Sequence, residues 1–227
     1  MLASAAVSEW IEWHQRYDAD PAMAERLRVV QEQVRRALDR CPTGPIAVIS
    51  MCAGDGRDLL GALHGHRRRG DVRARLVELE PELVARGQAQ AAELGIAGID
   101  LEVGDAAETD AYTGAVPADV VLVCGVFGNI TDADVETTVR HLPELCAPGA
   151  TVIWTRGRFQ PDLTPAIRRW FGDAGFTEID FIAIPGSTGS VGVHRLAGAS
   201  RVFQPGVRLF TFLEKDERPS TVARGRD

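Results

Sequence analysis

The chain has 227 residues, of which 45% are hydrophobic and 25% charged. This is enough apolar material for one α/β domain with an added cap, too little length for two full domains, and it excludes global disorder. With 32 acidic against 25 basic residues and a net charge of −7, a nonspecific hold on nucleic acid or an anionic membrane is disfavoured, and a small molecule is the expected partner.

Residues 1–44 are expected to form an N-terminal helical cap outside any sheet. Within them Trp10, Trp13, His14 and Tyr17 recur at i, i+3, i+4, i+7, and AMAERLRVVQEQVRRAL (22–38) sets Leu27, Val30, Val34 and Leu38 on one stripe. Residues 45–215 then alternate β-branched runs with helical patterns. IAVIS (46–50) leads through a glycine turn to RDLLGALHGH; RARLVELE (73–80) leads to PELVARGQAQAAELG, with Pro81 and Gly95 as start and stop signals. LEVGD (101–105), ADVVLVCGV (118–126), a helix at about 131–146, ATVIWT (150–155), a helix at about 162–174, TEIDFIAI (177–184) and VRLFTFL (207–213) complete the pattern. The expected fold is α/β: a doubly wound, mostly parallel seven-stranded sheet, with the Gly/Ser-rich stretch 186–192 as a loop and the last strand, 207–213, antiparallel. Residues 216–227 are expected to be a mobile tail. No run approaches the roughly 20 apolar residues that cross a bilayer, and Glu9 and Glu12 interrupt the first segment, so a cytoplasmic protein is expected. Cys41, Cys52, Cys124 and Cys146 form no CxxC pair and are expected to be reduced thiols.

Doubly wound sheets bind ligands at the carboxyl ends of their strands, where the strand order reverses. Ser50-Met51-Cys52-Ala53-Gly54-Asp55-Gly56 occupies that place after the first strand, and its glycines let backbone approach a ligand closely. Leu59 stands where a dinucleotide fingerprint wants a third glycine, and no Lys follows to make a phosphate loop. Glu78, 22 residues after Gly56 and followed by Leu79, ends the second strand, where a carboxylate accepts from both hydroxyls of a ribose. Asp105 and Ala106 end the third, where an acid accepts from an exocyclic amine and a backbone N–H donates to a ring nitrogen. Each alone has a bland alternative, a surface carboxylate for Glu78 and a helix cap for Asp105; in order, at strand ends, they favour an adenosine ligand.

These motifs resemble those of the class I S-adenosylmethionine-dependent methyltransferases over about residues 45–213. The resemblance implies a Rossmann-like domain with a seven-stranded sheet. It also places the glycine-rich first motif at Ser50 to Gly56, the ribose acid at Glu78, the adenine-contacting acid at Asp105, the fourth-strand motif at Ala118 to Gly125, and the turn into strand five within LPELCAPGATVIWT (142–155). The implied cofactor is S-adenosylmethionine and the product S-adenosylhomocysteine. Two positions depart from the pattern: Ser50 stands where an acid is usual and Cys52 where a glycine is usual. Tyr17 and the backbone around Met51 and Cys124 are then the expected holds for the amino-acid end of the cofactor.

The acceptor site is expected at the same rim. Trp10, Trp13, His14 and Tyr17 read either as a packed helix face or as an aromatic lid, with the Trp rings lining the acceptor pocket and His14 as a base. Phe127 and Asn129 follow the fourth strand and Arg156 the fifth, as candidate substrate contacts, with Asn129 also a candidate catalytic group. His194 is a further candidate catalytic group, expected in a loop covering the acceptor. His64 and His66 lie in HGHRRRG (64–70) on the opposite side, which speaks against a metal site, and the arginines there read as a solvated turn balancing a helix end. No aromatic-basic stripe points to nucleic acid. The expected function is methyl transfer to a small-molecule acceptor, an aromatic, indole-like or phenolic secondary metabolite, by a monomer or homodimer. The alternatives are a protein that binds the cofactor or its product without catalysis and, against the grain of Leu59, a dinucleotide oxidoreductase.

Overall fold

A computed structural model describes residues 20–214, 217 and 218. Helix α1 (Pro21–Arg40) starts where the Asp20 side chain accepts the Ala22 N–H at 2.9 Å, with Pro21 in the first turn. Its Val30, Val34, Ala37 and Leu38 are buried. The far end is held by Arg68, which donates to the carbonyls of Cys41 at 2.7 Å, Pro42 at 2.8 Å and Gly44 at 2.9 Å. The basic turn therefore closes this helix end with hydrogen bonds, and Arg68 is largely buried there rather than solvated.

The chain then forms β1 (Ile46–Met51), α2 (Arg57–Leu63), β2 (Val72–Glu78), α3 (Pro81–Glu93), β3 (Ile99–Val103), a short 3₁₀ turn (Thr109–Tyr112), β4 (Ala118–Val123), α4 (Asp132–Leu145), β5 (Cys146–Gly157), α5 (Thr164–Asp173), β6 (Phe176–Ala183) and β7 (Gly189–Leu196). The seven strands lie in the order β3-β2-β1-β4-β5-β7-β6, with β7 antiparallel to both neighbours. Alternate residues of the central strands feed two cores. Val48, Leu76, Leu122 and Ile153 pack with α1, α2 and α3 on one face; Ile49, Val121, Val152 and Trp154 pack with α4 and α5 on the other. Burial on both faces explains why these strands are continuously apolar. The described part of the cap segment is thus one layer of the sheet's covering, packed mainly on α2 and β7.

The antiparallel strand is not the one expected from sequence. Segment 207–213 makes only isolated bridges, Glu108 with Arg208 and Ile130 with Phe212, because its neighbours are loops. The strand beside β5 is drawn from the stretch read as a loop, and the reason is packing. Gly192 pairs with Trp154, and a Cβ there would lie 2.2 Å from the indole, so the large ring crosses β7 only where the side chain is missing.

This change of strand moves His194. It lies inside β7, opposite Val152, five residues below the carboxyl end of β5, and is 1% exposed. Its ring stacks on Phe171 at 4.2 Å, and its Nδ1 accepts from Trp154 Nε1 at 3.1 Å. The neutral ring therefore carries its proton on Nε2, which faces Glu178 at 3.6 Å. Burial lowers its pKa from 6.5 to about 4, against the raising effect of the Glu178 carboxylate. His194 is a core residue, and the expected acceptor-covering loop is a strand.

Candidate functional site

The strand order reverses between β1 and β4, so their carboxyl ends open a crevice. At its base, Ser50 and Met51 end β1 and are buried, and the chain turns sharply through Cys52, Ala53 and Gly54. Cys52 has φ of 50°, Gly54 60° and Gly56 74°, three left-handed residues in five. Gly56 precedes the first residue of α2, so the turn delivers the chain directly into that helix. The approach of α3 from below requires another glycine: a Cβ on Gly87 would lie 2.6 Å from the carbonyl oxygen of Asp55.

The Glu78 carboxylate ties this turn to β2. Only 8% exposed, it accepts the Gly54 N–H on Oε2 at 2.8 Å and the Glu80 N–H on Oε1 at 3.0 Å. A carboxylate offers about four acceptor positions, so roughly half remain after these two bonds. Beside it, Leu79 is 67% exposed, and Val103, which pairs with Glu78 at the end of β3, is 56% exposed, so both offer apolar surface at this end of the sheet. Asp105 follows β3; its Oδ1 caps the Ala107 N–H at 2.9 Å, and Ala106 is buried behind it. Asp105 stands two residues past the end of β3 and closes a local turn; it does not cap the next helical element, whose N-cap position is Glu108.

The β4 side is less polar. Cys124 follows β4, its thiol hydrogen-bonded to Asp58 in the first turn of α2, and burial with the Asp58 charge pushes its pKa well up. Burial and the charges of Glu78 and Asp105 do the same to Cys52. Neither thiol is a thiolate near neutral pH, which removes them as nucleophiles. Phe127 is fully buried, 5.9 Å from Trp154, and packs in the core instead of facing the crevice. Asn129 closes the β4 loop by donating to the Gly125 carbonyl at 2.6 Å. Arg156, 7% exposed, donates to the Phe127 carbonyl and lies 3.5 Å from Asp132, which makes it a brace between the β4 and β5 loops; burial lowers its pKa.

Of the expected site residues, the fold brings Ser50, Met51, Cys52, Ala53, Gly54, Glu78, Leu79, Asp105, Ala106 and Cys124 to one end of the sheet. It turns Phe127 and His194 into the core and engages Asn129 and Arg156 with backbone. Trp10, Trp13, His14 and Tyr17 lie outside the described residues. The site is a crevice at a strand reversal, floored by a left-handed turn pinned to a buried carboxylate.

A protein-family model described as "Putative methyltransferase" matches residues 22–170. The chain belongs to this methyltransferase family. No curated protein sequence matches it. Among solved structures it is similar to magnesium protoporphyrin IX methyltransferase (ChlM) from Synechocystis PCC 6803 with bound SAM, at 15% identity and a TM-score of 0.61, covering 76% of this chain and 80% of that one. It is similar to the N-methyltransferase NodS from Bradyrhizobium japonicum WM9 in complex with S-adenosyl-L-homocysteine, at 16% identity and a TM-score of 0.60, covering 81% and 91%. It also resembles the 1,6-didemethyltoxoflavin-N1-methyltransferase of Burkholderia thailandensis with bound 1,6-didemethyltoxoflavin and S-adenosylhomocysteine, at 18% identity and a TM-score of 0.63, covering 87% and 88%. At these identities the likeness is one of fold.

Two charged residues of this methyltransferase crevice were missed in the sequence. Asp58 reads as an ordinary acid in a helix's first turn, yet it reaches the end of β4. Arg208 sits in an apparent strand 103 residues from Asp105, and its Nη2 reaches Asp105 Oδ2 at 2.8 Å. Helical position gave a weak signal for the first. Nothing local gives one for the second, since the contact is made by the chain folding back over the β3 end.

Proposed function

We propose that this methyltransferase uses S-adenosylmethionine to methylate a small-molecule acceptor and releases S-adenosylhomocysteine. The observation that carries the proposal is Glu78, a buried carboxylate fixed by two backbone N–H groups beside the β1 turn, with acceptor capacity left for a ribose diol. The donor set fits the remaining parts of the cofactor: Leu79 and Val103 offer apolar surface to a flat purine, Asp105 an acceptor for its amine, and Asp58 a carboxylate for an ammonium group in place of the acid that Ser50 lacks. Bound S-adenosylmethionine would supply an electrophilic methyl carbon on a sulfonium: the acceptor bonds to that carbon as the carbon–sulfur bond breaks, and the electron pair leaves on the sulfur of S-adenosylhomocysteine. The chain's task is then alignment and exclusion of water, worth several orders of magnitude in rate without a covalent intermediate. The high thiol pKa values of Cys52 and Cys124 agree with that absence of nucleophilic chemistry.

The acceptor is proposed to be aromatic, indole-like or phenolic, with Trp10 and Trp13 against its ring, Tyr17 on the cofactor carboxylate and His14 as the base that takes its proton. The segment ahead of α1, which carries Trp10, Trp13, His14 and Tyr17, acts as the lid in this proposal, and the protein works in the cytoplasm. Asn129, in the β4 loop, accepts from the methyl acceptor with its side-chain Oδ1 in this proposal. Calorimetry with S-adenosylhomocysteine and with NAD tests the cofactor: heat for the first alone is expected, and no heat from folded protein sinks the proposal. Incubation with methyl-labelled cofactor and a metabolite extract tests the transfer; tight binding with no labelled product favours the non-catalytic alternative.

A further inference from the structure

Arg208 lies in the segment 203–213, which is fastened across the carboxyl end of the sheet. Thr109 does much of the fastening: its N–H donates to the Val207 carbonyl at 3.0 Å, its hydroxyl donates to the Gln204 carbonyl at 2.8 Å, and it accepts the Val207 N–H at 3.0 Å. Leu209 donates its N–H to the Ala107 carbonyl at 2.8 Å, Leu213 to the Asn129 carbonyl at 2.8 Å, and Leu209 and Phe210 are buried in the core. A segment held at this many points delivers its side chains with little freedom. Arg208 reaches the residues that follow β3. Its Nη2 bridges Asp105 Oδ2 and Glu108 Oε1, both at 2.8 Å, and its Nη1 donates to the Phe210 carbonyl at 3.2 Å.

Asp105 is consequently gripped on both oxygens, Oδ1 by the Ala107 N–H and Oδ2 by the guanidinium. A carboxylate so held has one orientation, and its remaining acceptor positions point in fixed directions. We infer that Arg208 is a positioning residue that fixes Asp105 as the acceptor for a 6-amino purine and so sets the preference for adenosine over its 6-oxo counterpart. The inference rests on the cofactor reading above. A 6-amino group donates where Asp105 accepts. A 6-oxo group presents an oxygen to a carboxylate, which repels it, and a protonated N1 to the backbone N–H expected to donate there. A loosely held Asp105 turns away from the mismatch at little cost, whereas one locked by Arg208 does not.

The test compares S-adenosylhomocysteine with S-inosylhomocysteine by calorimetry on the full chain, wild type, Arg208→Gln and Arg208→Lys. Wild type is expected to prefer the adenosyl compound, Arg208→Gln to lose about three- to fivefold of that preference, in keeping with a half-exposed ion pair, and Arg208→Lys to recover part of it. A merely structural Arg208 weakens both compounds equally and leaves the ratio unchanged, which overturns the inference. A second readout needs no variant: raising salt from about 0.05 to 0.5 M, which shortens the screening length severalfold, is expected to narrow the wild-type preference, and an unchanged ratio counts against Arg208. Wild-type protein that binds neither compound overturns the cofactor reading itself, and the role of Arg208 falls with it.

Discussion

Replacing Glu78 by Gln separates the two tasks assigned to that side chain. In the folded protein its Oε2 takes the Gly54 N–H at 2.8 Å and its Oε1 the Glu80 N–H at 3.0 Å, in surroundings that leave it 8% exposed. An amide of the same shape keeps one acceptor and turns the other into a donor facing a backbone N–H. One charge-assisted bond is lost with its N–H left buried, about 1.5–3 kcal/mol, and the surviving bond falls to neutral strength, which brings the expected loss to about 2–4 kcal/mol. At roughly 2–4 °C per kcal/mol for a chain of this size, the melting temperature drops by about 4–16 °C. Binding of S-adenosylhomocysteine is expected to weaken by about ten- to a hundredfold as the diol exchanges a carboxylate for an amide. Urea unfolding and calorimetry on the same preparations measure the two effects. Stability within about 0.5 kcal/mol of wild type refutes the pinning of the turn; a stability loss with unchanged affinity refutes the ribose assignment alone.

Gly87→Ala reverses a familiar sign. Alanine in a helix interior normally gains about 1 kcal/mol over glycine, but here its Cβ would sit 2.5 Å from Leu101 Cδ1 and 2.6 Å from the Asp55 carbonyl oxygen, so urea unfolding is expected to show a net loss and calorimetry a weaker cofactor. Gly192→Ala drives a methyl group to 2.2 Å from the Trp154 indole and is expected to cost about 1–3 kcal/mol or more by overpacking, read by the same unfolding assay; a neutral outcome contradicts the crossing of Trp154 over β7. His194 titrates near 4 when folded and near 6.5 when unfolded, so the unfolded chain binds the extra proton in that window. Its contribution is intact above pH 6.5, is lost progressively as the pH falls to about 4, and amounts to roughly 3 kcal/mol. Unfolding measured at pH 7, 5.5 and 4 is expected to show this slope in wild type and a shallower one in His194→Phe, which also loses the partner of the Trp154 N–H at every pH.

The sequence by itself determined the alternation of strands and helices, because continuous apolar runs and capping signals are local properties. Asp20 before Pro21, Pro81 at the start of α3 and the left-handed glycines at 54 and 56 all act within a few residues of themselves. It also set Glu78 at the end of β2 and Asp105 two residues past the end of β3, since apolar runs define where those strands stop. Tertiary structure alone decided which segment becomes the antiparallel strand. Propensity favours Val207 to Leu213 and disfavours Gly189 to Leu196, yet a strand needs a partner edge, and β5 presents Trp154, whose indole fits over a glycine and over nothing larger. Segment 203–213 was left to bind loops, and that placement carried Arg208 across the sheet to Asp105. His194 moved from an expected rim to the core for the same reason: a period-two pattern tells which residues share a face, but not which strand they will face.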